Sequence, residues 1–222
     1  MENNTGKEQR LQSYIAIATA AILLILFLAS GIREGVSVHN LRALGQNAWT
    51  PVLIIVAMTG AWTFALPASV FFFITPLLFP PLPATLIICA GSVAGTSMGY
   101  VAARYIGGPW VERFRGYRIT KFLERHSSFA TLFAIRVFPS SPHGWINYGA
   151  GLLKLPFWKF LIATLLGVGI KAFLYSVAID GSVGASSIKE ALNWQTVTTL
   201  TLLTAIALVG HVVRRKWMQE QP

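Results

Sequence analysis

Long apolar runs alternate with short polar ones along most of the chain. Residues 14–32 form an uncharged run of about one bilayer crossing, since a transmembrane helix needs ~20 apolar residues. Residues 33–47 are mixed: Val36, Val38, Leu41 and Leu44 interleave with Arg33, His39, Arg42 and Gln46, the pattern of a short helix lying in the membrane interface. From Ala43 to Ala103 there is no Asp, Glu, Lys, Arg or His, yet Pro67, Pro76, Pro80, Pro81 and Pro83 break the stretch. Each proline removes a backbone donor and clashes with the preceding turn. The pattern predicts a helix over 48–66, a break at Pro67 and an apolar arm over 69–79. A stop at Pro80-Pro81-Leu82-Pro83 and an uninterrupted helix over 84–106 follow.

The second half repeats this punctuation. Residues 127–138 are apolar apart from Arg136, and Pro139-Ser140-Ser141-Pro142-His143-Gly144 breaks the run. An arm over 145–155, a restart at Pro156 and a helix over 157–179 follow. Residues 180–193 are rich in Gly and Ser, and a last helix is predicted over 194–213. Pro67 to Pro83 is 16 residues and Pro139 to Pro156 is 17; Pro83 to Gly108 and Pro156 to Gly181 are both 25. Broken backbone at membrane depth survives only inside protein or against a wet cavity. Two re-entrant hairpins related by inverted symmetry fit the pattern, with tips marked by Pro67, Pro83, Pro139, Pro142 and Pro156. Sites in such architectures sit where discontinuous helices meet near the midplane. Residue identity between the two units is weak, so chance spacing is the competing explanation.

Composition narrows the class. The 222 residues are 54% hydrophobic and 12% charged, against about 25% charged in a soluble domain. An all-α integral membrane protein, a single helical bundle, is expected. The net charge of +10 sits at the ends of apolar segments, which suits membrane topology and anionic headgroups rather than nucleic acid. The basic block over 104–125 and Arg214-Arg215-Lys216 mark the cytoplasmic side, with both termini there. A signal peptide ending near Ala29-Ser30-Gly31 is the alternative for the first run, but its apolar core is too long and its tail barely basic. Cys89 stands alone inside an apolar run, so it forms no internal disulfide and reads as a small buried hydrophobe.

Arg136 is the residue whose placement asks most. An arginine at the centre of a spanning helix costs ~3 kcal/mol on insertion scales, and no carboxylate lies between Glu124 and Asp180. It either snorkels to the surface or lines a wet cavity and meets an anion, for which a guanidinium fork is suited. Ser140, Ser141, His143 and Asn147 follow closely, either as a polar tip that hydrates a headgroup or as caps of broken helix ends. Gly91, Gly95 and Gly99 make one small helix face for close packing. Gly95-Thr96-Ser97-Met98-Gly99 also spells a nucleophile elbow, but in mid-helix, where that motif lacks its turn and its base. The four histidines are scattered and no nucleotide or metalloprotease motif occurs. No enzyme, metal or cofactor is expected.

These blocks resemble the DedA/VTT superfamily, also called the SNARE-associated Golgi protein domain family. Leu66-Pro67, Gly91, Gly95, Tyr100, Arg104 and Gly107 carry the first half of the resemblance. Arg136-x-x-Pro139-x-x-Pro142, Asn147-Tyr148, Gly151, Phe157, Phe160 and Gly167 carry the second, which resembles the yeast-Golgi-type VTT branch and its bacterial relatives. The resemblance implies two re-entrant hairpins in a helical bundle and translocation of phospholipid or polyprenyl phosphate. It adds Arg104 and Tyr100 to Arg136, Asn147, Ser140, Ser141 and His143 as candidate headgroup-binding residues. The chain departs from the bacterial pattern at two acids: Ala68-Ser69-Val70-Phe71 follows the first tip, and Thr96 occupies the aspartate place. Coupling through membrane carboxylates therefore has no residue here unless Asp180 serves.

Three functions are weighed. A lipid translocator would slide headgroups along a polar groove at Arg136 and needs no coupling ion. A secondary transporter coupled to an ion or solute would need a sealed central site and usually an acid. A non-transporting scaffold could bind anionic lipid through the basic stripe over 113–125. The expected divisions are an N-terminal tail, first helix and linker (1–47), the VTT-like part (48–184), and a C-terminal helix with a basic tail (185–222). A bacterial inner membrane is the expected location, and a homo-oligomer is compatible with the glycine stripe.

Overall fold

A computed structural model of the protein describes residues 38–106, 118–138, 143–182, 193–199, 201–202 and 204–206. Among them there is no strand. The helices are α1 (Val38–Gly45), α2 (Trp49–Thr63), α3 (Phe71–Leu78) and α4 (Pro81–Val101), followed by α5 (Arg118–Arg125), α6 (Phe129–Val137), α7 (His143–Leu152) and α8 (Phe157–Ser182). A π-helical turn, Ala102–Ile106, extends α4. The first apolar run, over 14–32, the tip residues Pro139, Ser140, Ser141 and Pro142, residues 107–117 of the basic block, and residues 183–192 and 207–222, with the end of the predicted last helix and its basic tail, lie outside the described residues.

Length separates two kinds of helix. α4 with its π turn and α8 each have 26 residues, about 39 Å at 1.5 Å per residue, enough for a hydrocarbon core of ~30 Å. α2 has 15 residues, and α3, α6 and α7 have 8, 9 and 10. Those three reach about 15 Å at most and cannot cross singly. The two long helices are apolar around much of their girth. Trp158, Ile162, Leu165, Leu166, Ile170 and Phe173 make an exposed apolar face on α8, while its other face is buried. A helix of this kind meets protein on one side and lipid on the other. The chain is an all-α membrane protein.

Prolines and caps set the boundaries, though not always as the sequence suggests. Pro83 is not a hairpin tip: α4 already starts at Pro81, and both prolines occupy its first turn. The N–H groups of that turn have no helical partner, so prolines cost little there. α2 stops at Thr63, before Pro67. Ala65 takes a left-handed φ of 57°, and Leu66 N–H donates to the Ala61 carbonyl at 2.8 Å, a Schellman-type cap. α7 ends alike, with Lys154 at φ 52° and Leu155 N–H donating to the Ala150 carbonyl at 3.0 Å. Pro156 follows, and its carbonyl accepts from Phe160 N–H at 3.1 Å to start α8. Ser128 caps α6, accepting from Thr131 N–H at 3.1 Å. Hydroxyls inside the long helices fold back on their own backbone, as Ser92 does on Ile88 and Thr164 on Phe160, which removes bare donors from an apolar setting.

The packing has an internal order. α1 packs on α3 as α5 packs on α7, α2 on α4 as α6 on α8, and α3 on α8 as α7 on α4; α4 and α8 pack on each other. Exchanging α1–α4 with α5–α8 returns the same pairings. The first unit adds contacts of α3 with the α4 that directly follows it, and of α2 with α1, α3 and α7. α4 and α8 run antiparallel, since Tyr100 meets Phe160 at 5.9 Å between ring centroids while Cys89 meets Gly169. A twofold axis that exchanges antiparallel helices lies perpendicular to them. For helices crossing a bilayer it lies in the membrane plane.

Two glycines fix the correspondence at atomic level. A Cβ on Gly95 of α4 would lie 2.5 Å from Trp62 Cβ and 2.9 Å from the Thr59 carbonyl oxygen of α2. A Cβ on Gly167 of α8 would lie 2.6 Å from Arg136 Cβ and 2.9 Å from the Phe133 carbonyl oxygen of α6. Both crossings therefore need glycine on the long helix, and Arg136 occupies in the second unit the place of Trp62 in the first. Each unit has its own core. Met58, Trp62, Phe72 and Ile88 anchor one, with Val168 and Ala172 of α8. Leu132, Ile146, Phe160 and Ala163 anchor the other, with Tyr100 of α4.

Candidate functional site

Between the two cores lies a polar centre. Arg136 and Asn147 are 0% exposed and Lys171 is 3% exposed. α6 delivers Arg136, α7 delivers His143 and Asn147, and α8 delivers Lys171. Arg136 therefore does not snorkel; its guanidinium stays at the junction of the units. Its Nη2 donates to Asn147 Oδ1, and its Nη1 lies 3.1 Å from His143 Nδ1. The other ring nitrogen of His143, Nε2, is 2.8 Å from Lys171 Nζ. Arg136, His143 and Lys171 thus form one hydrogen-bonded row.

Aromatic rings wall the row. The Trp62 indole stacks on the His143 ring at 4.6 Å and 8°. The Arg136 guanidinium carbon lies 5.6 Å from the Trp62 ring centre and 4.9 Å from that of Phe160. Lys171 Nζ sits 4.7 Å over the Phe72 ring. A guanidinium is stabilised over ring faces, but rings accept no full hydrogen bond. Arg136 Nε, Asn147 Nδ2 and Trp62 Nε1 are buried without a hydrogen-bond partner among the described residues. Each such donor costs about 1–3 kcal/mol. Among the described residues the acids are Glu124 and Asp180. Glu124 is exposed, and Asp180 pairs with Arg42 of α1. The centre therefore holds the Arg136 guanidinium and spare donors, and among the described residues no anionic side chain faces it, an arrangement complementary to an oxyanion.

The other candidates fall elsewhere. Tyr100 and Arg104 form a second group: Arg104 Nη1 donates to the Tyr100 hydroxyl, which donates to the Leu155 carbonyl ahead of α8. Phe160 touches both groups, packing on Tyr100 and lying under Arg136. Gly151 lets α7 reach the Tyr100 carbonyl and Ala103 at the π turn. Gly91 faces Met58 of α2, and Gly99 faces Asn147 of α7. The glycine stripe thus packs within one chain. Ser97 of the elbow-like pentapeptide donates to the Val93 carbonyl at 2.8 Å, as an ordinary helical serine does. Among the described residues no group of His, Cys, Asp and Glu could hold a metal.

Sequence reading missed Lys171 and Trp62. Lys171 carried the same signal as Arg136, a charge inside an apolar helix. Trp62 carried none, because its role comes from proximity across units.

These features define a helical membrane protein with an internally repeated core around a buried basic centre. The VTT domain family profile matches residues 66–181, and the chain belongs to that family. It is 27% identical over 164 residues to transmembrane protein 41B of Homo sapiens, covering 71% of this chain and 56% of that protein. It is 28% identical over 179 residues to the transmembrane protein 41 homolog of Caenorhabditis elegans, covering 77% and 73%. The chain spans little more than half the length of the human relative it matches. No solved structure matches the chain.

Proposed function

We propose that the chain moves phosphate-bearing lipid headgroups between leaflets, with Arg136 as the contact for the phosphate. α2–α3 and α6–α7 act as hairpins that enter the membrane from opposite faces and turn back, because their short helices cannot cross. The observation that carries this reading is the buried basic centre where the units meet, with donors unspent and no acid among the described residues to fill it. Membership of the VTT family agrees, since the DedA/VTT resemblance implies lipid translocation.

The seam that would open is narrow. The Trp62–His143 stack, a Tyr148 hydroxyl donating to the Thr63 carbonyl and the approach of Gly144 to Ala65 join the end of α2 to the start of α7. Parting them exposes Arg136 to one side. A headgroup then replaces His143 and Asn147 as the guanidinium's partner while its tails stay in lipid. Arg136 must release its ligand, and the competing side-chain acceptors make release possible.

The test is reconstitution into vesicles with fluorescent phospholipid in both leaflets, followed by dithionite. Quenching well beyond the outer half is expected with the wild type and about half with Arg136→Ala. Outer-half quenching with the wild type overturns the reading. A second reading, an anion-coupled secondary transporter, draws on the full burial of Arg136, Asn147 and Lys171, which resembles an occluded site. Proton or solute flux without lipid transfer would favour it.

A further inference from the structure

The row Arg136–His143–Lys171 imposes a proton count. A guanidinium has donors only and keeps its charge, so His143 Nδ1, 3.1 Å from Nη1, must be the acceptor. A neutral imidazole has one acceptor and one N–H, which places the hydrogen on Nε2. That N–H points at Lys171 Nζ, 2.8 Å away. An ammonium there has three donors and no lone pair, so the contact would set donor against donor. A neutral amine accepts it. The opposite tautomer satisfies Lys171 and turns an N–H on the guanidinium, which has no way to yield.

We infer that Lys171 is a charge-adjusting residue of the centre, a neutral amine in the closed state that becomes an ammonium when a doubly charged phosphate monoester enters. The geometry alone carries the first half; the second rests on the anion-binding reading above. With the amine the centre holds one positive charge, Arg136, which balances a phosphodiester. With the ammonium it holds two, which balance a monoester dianion. One N–H bond forms on the Nζ lone pair. The proton comes from hydronium in the bulk solution or from the monoester's own second ionisation, which leaves the dianion, and His143 Nε2–H turns from Nζ to donate to a phosphate oxygen.

Among the described residues no other titratable group near Lys171 does this service. α3 presents Phe72, whose ring lies under Nζ, α4 presents Cys89 opposite Gly169, and α7 presents His143, which in turn meets Arg136 of α6. On α8 itself the nearest titratable groups are Tyr175, packed against Phe72 and Phe73, and Asp180, paired with Arg42. Charge uptake by a lysine supplies what the missing carboxylates would otherwise provide.

The test is NMR of full-length protein labelled with ε-15N lysine in nanodiscs at pH 7, where the Nζ shift separates amine from ammonium. Lys171→Met assigns the signal; if that variant does not fold, replacing the other lysines by Arg one at a time assigns it by elimination. An amine is expected in the free protein and with dihexanoyl phosphatidylglycerol, and an ammonium with dihexanoyl phosphatidate. An ammonium in the free protein overturns the inference, and an amine that persists with saturating phosphatidate overturns its charge-matching half. An amine in the free protein together with no lipid movement in vesicles would remove the transport reading and leave the resting state of Lys171 established.

Discussion

The two units place unlike residues at one structural position. At the crossing of α2 and α4, Trp62 lies against Gly95; at the crossing of α6 and α8, Arg136 lies against Gly167. The backbone solution is shared, down to a carbonyl three residues earlier in each short helix. The chemistry is not. The first unit contributes an indole face and the second a guanidinium, and the two side chains meet over His143. A repeated scaffold supplies two equivalent seats near its axis, and filling them differently converts a symmetric frame into a polarised site. The aromatic seat gives Arg136 a surface without competing for its hydrogen bonds.

Breaking the polar seat should have the largest effect. Arg136→Ala is expected to lower lipid movement by about tenfold or more, since hydrogen bonds to charged groups are worth about 1.5–3 kcal/mol; vesicle quenching measures it. Arg136→Lys should restore little, because an ammonium cannot reproduce the fork between Asn147 and His143. Next come the glycines. Gly95→Ala and Gly167→Ala each force a methyl group into backbone and should destabilise by about 1–3 kcal/mol. The equivalence of the units requires similar losses in thermal or denaturant unfolding; a loss at one site only would break the comparison. Tyr148→Phe removes the hydroxyl that joins α7 to the Thr63 carbonyl and should cost about 0.5–1.5 kcal/mol. If the seam is where the site opens, the same variant moves lipid faster than wild type. Smallest is Asp180→Asn. The Arg42–Asp180 pair is about a third exposed on both sides, so its loss should cost no more than about 1 kcal/mol and vanish at high salt.

The long helices were legible because length and apolarity need no partner to be recognised. α8 lies close to the expected 157–179, and α4 starts three residues before the expected 84. That offset, and the loss of Pro83 as a tip, arise because a proline in the first turn obstructs nothing, whereas sequence alone shows only its presence. The end of α2 was misjudged for the converse reason. Its stop is a left-handed Ala65, a backbone state with no signature in an alanine. Arg136 was legible as a misplaced charge, and Asn147 and His143 as its neighbours along the chain. Their convergence with Lys171 was not, because it depends on where α8 runs past α7. The match of Trp62 with Arg136 left no trace in residue identity and emerges only where glycine brings two backbones together.

One consequence follows from how the short arms are lodged. α3 rests on α8 and α7 rests on α4, so each half keeps a piece of itself on the other. During synthesis the first half cannot complete its own packing until α8, the last of these helices, has been inserted. A chain holding just one half would find its missing surfaces only in a second copy threaded through the bilayer upside down.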